Sequence, residues 1–330
     1  MYKLIGVKTF FFSIFLSLFL GSCRVSDSHE IKDNPKFTGL DYCRVDKYVF
    51  DGEALTSPCQ EASLVVLENV LKLGDSESAE FGRYFGMFKD NPDWKTVQKE
   101  VIATFGDLKE EKQRLNSFFA KYSSIFDEEM PLVVFYNGGF NYGVYPDKAF
   151  LGIGLEWFLG TGSTIYPRLA PENFPMYRIL QMVPERLVPQ AVFGYLSFHQ
   201  FDPKGGRFVD LAMAHGKLLY LAGLMLENTP TELFLGFTSE KWQWTEDHEY
   251  QIWKELVKGE LLYSSSVEVH RQFFTDGPFT PGFPKESAPN LGMYIGYKMV
   301  VDFMLDNPDV SPNELLNLEV KDIIKYYNPK

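Results

Sequence analysis

The sequence predicts a mainly α-helical protein with a small antiparallel β-sheet, an α+β class, and three observations point there. Apolar residues return at helical spacing in successive windows on both sides of residue 131. Between those halves stand two short β-rich runs, Leu132–Tyr136 and Phe150–Trp157, separated by turn residues. No tandem repeat or long low-complexity segment argues for a solenoid.

The first segment reads as a leader. Lys3 and Lys8 precede the uncharged run Phe10–Leu20, which is too short for the roughly 20 apolar residues of a spanning helix. It ends at Leu20-Gly21-Ser22-Cys23, which resembles a bacterial lipobox, two small side chains ahead of a thiol that accepts diacylglycerol. Residues 1–22 are therefore expected to be a lipoprotein signal peptide, with Cys23 lipidated; an ordinary signal peptide ending near a cysteine is the alternative. Two or three acyl chains, at about 0.8 kcal/mol per buried methylene, anchor stably where one does not. The polar stretch over 23–39, with His29 and Pro35, reads as a flexible tether, and 40–330 as a single globular domain.

Within that domain Val45, Tyr48 and Phe50 suggest a short strand over Asp46–Phe50. A helix over Cys59–Leu73 opens after Pro58, carries Leu64, Leu67, Val70 and Leu71 on one face, and closes at Gly74. Asn91-Pro92-Asp93 starts another, and Asp107–Ile125 places Leu115, Phe118, Phe119 and Tyr122 on one side. The two β-rich runs are expected to form the antiparallel sheet. Further helices are expected over Pro184–Phe198, Arg207–Leu226, Ser239–Val257, Ser266–Phe274, Leu291–Leu305 and Ser311–Tyr327, the last with Pro at its first helical position.

A hydrophobic fraction of 45% and an aromatic fraction of 16% describe a globular chain with an aromatic core. The formal net charge of -12 opposes nucleic acid and anionic lipid as partners. Cys43 and Cys59 remain after lipidation, either as a disulfide in an oxidising compartment or as two buried thiols.

No catalytic motif is intact: GxSxG, the P-loop and GxGxxG are all missing. His248-Glu249-Tyr250-Gln251-Ile252 approaches a zincin helix but has Ile252 where the second histidine would ligate. His215 lies alone in an apolar stretch, and five histidines without a tight cluster imply neither a metal nor another cofactor. Trp242, Trp244 and Trp253 flank the acidic segment Glu246–Glu249, which reads either as a groove for sugar or peptide or as core packing. The loop Asn137–Gly143 either edges a site or merely connects strands. Gly292 and Gly296, four apart, allow another backbone to approach.

These residues carry a resemblance. Gly154-Leu155-Glu156-Trp157-Phe158-Leu159-Gly160 with Tyr166, Gly216-Lys217-Leu218-Leu219-Tyr220, Phe237-Thr238, Trp244, Glu249–Trp253, Pro278-Phe279-Thr280 and Leu291–Gly296 together resemble the gliding-motility lipoproteins of Bacteroidota of the GldB type. The resemblance spans most of the chain from Pro131 onward, and the segment Cys43–Phe126 matches in layout only. It implies an envelope protein, lipid-anchored and facing the periplasm, whose partners belong to the motility apparatus and its associated secretion machinery. That family also looks distantly like HExxH zinc peptidases, which implies a degenerate zincin-like architecture here. Pro184–Val188 has no histidine where the motif would fall, and His215-Gly216 stands where Glu-Gly would be. The candidate cleft residues are Glu156, Tyr166, Glu185, His215, Lys217, Tyr220, Trp244, His248, Glu249 and Trp253. Two functions follow: a noncatalytic binding or scaffolding lipoprotein, or an envelope hydrolase of peptide or peptidoglycan using His248, Glu249 and Glu185.

Overall fold

A computed structural model describes residues 30–330; the expected signal peptide and the expected lipidation site Cys23 lie outside the described residues. Chain order starts with β1 (Tyr42–Arg44), α1 (Val45–Asp51) and α2 (Ser57–Val65), the last running into a π-helical turn over Val66–Val70. The strand expected over Asp46–Phe50 is therefore a helix. Val45 and Val49, one turn apart, are both buried, and Asp46 between them is held by Arg44, so the helical period suits these side chains better than alternation. Next come α3 (Phe81–Asp90), α4 (Pro92–Phe105) and α5 (Lys109–Ile125). Asn91 caps α4, its side-chain oxygen accepting from the N–H groups of Asp93 and Trp94.

The segment 30–39, expected to belong to a flexible tether, is instead bound to α5. Ile31 is buried in the main core, the Asn34 N–H donates to Ala120 O, its Nδ2 donates to Ser123 O, and the Leu40 N–H donates to the Asn116 side chain.

β2 (Leu132–Tyr136), β3 (Val144–Pro146) and β4 (Phe150–Gly154) complete one sheet of order β1-β2-β4-β3. The sheet is mixed, which corrects the antiparallel expectation: β1, β2 and β4 run parallel, and only β3 lies antiparallel on β4. Both β2 and β4 are buried on their two faces, as parallel strands are, which is why each reads as a nearly continuous apolar run. Val133, Phe135, Leu151 and Ile153 face the main core; Val134, Tyr136 and Phe150 face a smaller core with α1, α2 and Cys43. Cys43 on β1 and Cys59 on α2 are joined as a disulfide with their Cα atoms 5.6 Å apart. The second β-rich run stops at Gly154, and Leu155–Phe158 is a 3₁₀ turn.

The rest is helical: α6 (Met176–Ile179), α7 (Leu187–Gln200), α8 (Phe208–Met225), α9 (Thr231–Leu235), α10 (Ser239–Asp247), α11 (Glu249–Lys258), α12 (Val267–Phe274), α13 (Leu291–Asp306), α14 (Pro312–Asn317) and α15 (Val320–Ile323). α8 and α13 form the centre. A Cβ on Gly296 would lie 1.7 Å from Ala212 O, so the two backbones meet where a side chain cannot fit. α8 is long and apolar enough to cross a membrane, but 83% of it is buried inside the protein, as in a core helix.

Two expected helices are broken. Ser239–Val257 divides at His248, whose Nδ1 lies 2.7 Å from Trp244 O while its ring stacks on Trp244 at 4.3 Å. The imidazole thus takes the carbonyl that the helix would have used. Ser311–Tyr327 divides at Leu318, after a capping box between Ser311 and Glu314. There the buried Lys217 Nζ donates to the carbonyls of Leu316 and Leu318 at 3.1 and 2.5 Å.

Candidate functional site

The cleft residues predicted from sequence fall into separate groups. The first lies at the carboxyl ends of the parallel strands. Glu156, on the 3₁₀ turn after β4, is fully buried, and its Oε1 accepts from the N–H groups of Gly138 and Phe140 at 2.8 and 3.1 Å. Burial pushes its carboxyl up to about 7, against the lowering effect of those N–H groups, and Asp46 adds to the rise. The Tyr166 hydroxyl donates to Glu156 O at 3.0 Å and accepts from the Leu159 N–H at 2.9 Å, locking the turn. Trp94, Phe140, Trp157, Tyr166 and Phe174 pack as an aromatic wall beside it.

The second group lies where α10, α11 and α13 meet the carboxyl terminus. Glu249 is 2% exposed and accepts from the Tyr327 hydroxyl at 2.9 Å and the Tyr294 hydroxyl at 3.3 Å. Lys298 Nζ lies 3.2 Å from Glu249 and 3.3 Å from Glu246, and the single Tyr294 hydroxyl proton is shared between the two carboxylates, with Glu246 the nearer at 2.7 Å. Burial pulls the Lys298 ammonium down, but Glu249 and Glu246 outweigh it and hold the group above its ordinary value. Tyr294 and Tyr327 are both raised, by burial first and by the adjoining Glu249 carboxylate second. Trp253 packs edge-on against Tyr327 at 4.9 Å, and Trp244 covers His248.

The remaining candidates sit on α8 and beside α7. The half-buried His215 ring lies between Phe201 and Phe274, at 4.5 and 5.8 Å, and burial pulls it down to about 4, so it is neutral at pH 7. Lys217 anchors the C-terminal segment, and burial pulls its amine down to about 8. Tyr220, on the same helix, is buried and its hydroxyl is raised by that burial. Glu185 is exposed on a 3₁₀ turn, while the neighbouring Arg186 is buried and donates to Gln181 O. No hydrogen bond or ion pair among the described residues joins Glu156, Glu185 or His215 to Glu249.

Sequence reading named Glu249 and Glu156 but missed what surrounds them. Lys298, Tyr294 and Tyr327 reach Glu249 from distant positions, and Asp46 on α1, itself bonded by Gln98 of α4, acts electrostatically on Glu156. The signal for Lys298 was available only in part, as a partly buried lysine that interrupts an apolar helix. Among the described residues no group of three or more His, Cys, Asp or Glu side chains is placed to hold a metal ion.

A helix-rich α+β domain with a four-stranded mixed sheet and buried carboxylates held by internal partners is the class of protein that fold and site define. The family model of gliding motility protein GldB matches residues 40–329, so the chain belongs to that family and is linked to gliding motility. No curated protein and no solved structure matches it.

Proposed function

We infer that the chain is a noncatalytic envelope lipoprotein, tethered through Cys23 and facing the periplasm, that binds or scaffolds proteins of the gliding apparatus and its associated secretion machinery. The observation that carries the noncatalytic part is the state of the two central carboxylates. Glu249 is occupied by two tyrosine hydroxyls and Lys298, and Glu156 is sealed behind the strand ends with one oxygen on backbone N–H groups. Neither resembles an exposed acid or base within reach of a substrate. The degenerate zincin-like reading, carried by the resemblance alone, finds no ligand set at its expected positions: Glu185 is exposed on a 3₁₀ turn without a histidine, and His215 is flanked by phenylalanine rings.

Anchoring follows from the lipobox at Leu20–Cys23 and agrees with the lipoprotein designation of the family. The test is Cys23→Ser, expressed in place of the native chain in a gliding host. Uptake of labelled fatty acid and surface spreading are both expected to be lost while the folded domain persists. Spreading at the native rate without lipidation overturns the anchored reading, and zinc-dependent peptide cleavage by the purified chain overturns the noncatalytic one.

A further inference from the structure

We propose that the carboxyl ends of β1, β2 and β4 form a binding site for a hard, oxygen-coordinated cation, liganded by the side-chain oxygens of Gln98, Asn137 and Glu156. In open sheets, ligands settle beyond the carboxyl ends of parallel strands, where the backbone diverges into loops. Here the register sets Arg44 opposite Phe135 and Tyr136 opposite Gly154, so Asp46, Asn137 and Glu156 all follow just beyond the paired residues. Gln98 joins them from α4. Its Nε2 donates to Asp46 Oδ2 at 3.0 Å, and one turn earlier Trp94 O accepts from Asn137 Nδ2 at 3.3 Å.

Gln98, Asn137 and Glu156 are 4%, 1% and 0% exposed, and one oxygen of each, Gln98 Oε1, Asn137 Oδ1 and Glu156 Oε2, is reached by no protein donor. Turning either amide over would not help, because the nitrogen of each already serves an acceptor. Buried polar atoms in folded proteins nearly always have partners. Three orphaned acceptors at one end of a sheet call for positive charge, and oxygen ligands alone select a hard ion rather than zinc or copper. Asp46 is already neutralised by Arg44, whose Nε and Nη2 lie 2.8 and 2.7 Å from its two oxygens, which leaves Glu156 as the carboxylate for the ion. This site is independent of the lipid anchor and of any motility partner.

The test is thermal unfolding of the full chain in detergent, first dialysed against chelator, with calcium chloride, magnesium chloride or sodium chloride each compared with choline chloride at equal ionic strength. At least one of the three is expected to raise Tm by about 2 °C or more beyond choline. Glu156→Gln keeps an acceptor for the Gly138 and Phe140 N–H groups but removes the charge, and is expected to abolish the cation-specific shift while near-ultraviolet circular dichroism stays native. Asn137→Asp adds a carboxylate and is expected to enlarge the calcium shift, which a purely structural amide would not do. If Glu156→Gln fails to fold, Gln98→Met serves the same comparison. A chain that responds to no cation beyond choline, or a shift that survives both Glu156→Gln and Gln98→Met, overturns the proposal.

Discussion

At Glu249 a carboxylate, two phenols and an ammonium meet in one cluster, where burial first and the Glu249 charge second raise both phenols, and the carboxylates hold the Lys298 ammonium up against its own burial. Sequence singled out Glu249 through its place after His248. Its partners stood 45 residues away at Tyr294 and 78 away at Tyr327, beyond any local pattern. His215 offers the sharper test of a single side chain. Its pKa falls from 6.5 in the unfolded chain to about 4 in the fold, so the native state resists the proton that the unfolded chain accepts. The stability it contributes is complete above pH 6.5 and is lost as pH falls through 4. Between pH 7 and pH 4 the native chain should lose up to about 3 kcal/mol relative to His215→Phe, read from urea unfolding at each pH.

Elements were legible where one helix explained its own residues. The capped starts at Asn91 and Ser311, and the apolar faces of α5, α8 and α13, needed only local spacing. Breaks were not legible, because tertiary or side-chain partners impose them. His248 competes with the backbone for Trp244 O, and Lys217, about a hundred residues away in sequence, supplies the carbonyl partners at Leu316 and Leu318. The helix pair at the centre was half legible: the spacing of Gly292 and Gly296 announced a close approach, yet only the fold names Ala212 and Gly216 opposite Gly296. Gly296→Ala forces α13 away from α8 and is expected to cost about 1–3 kcal/mol, or more if the helices cannot separate, measured by chemical denaturation.

On the scale of the whole molecule, two cores share one sheet, and the Cys43–Cys59 disulfide ties β1 to α2 within the smaller core. With a sequence separation of 16, the closed loop restrains the unfolded chain, and the pair Cys43→Ser with Cys59→Ser should lower stability by about 3 kcal/mol. Calorimetry of the oxidised chain beside that double variant checks this; equal melting temperatures would show that the cross-link contributes nothing. Residues 31–40 bind along α5 as part of the folded body. Ile31 enters the main core, so the domain begins earlier than the polar composition of 24–39 implied.

The sequence by itself determined the helical class, the capped helix starts, the two apolar strands and the family, because each is written in residues close together along the chain. Tertiary structure alone decided that the strands run parallel, that α1 is a helix, and that Glu156 and Glu249 stand in different pockets with different partners. Parallel pairing and buried charge networks bring together groups from distant segments, and their energies depend on burial that no local spacing records.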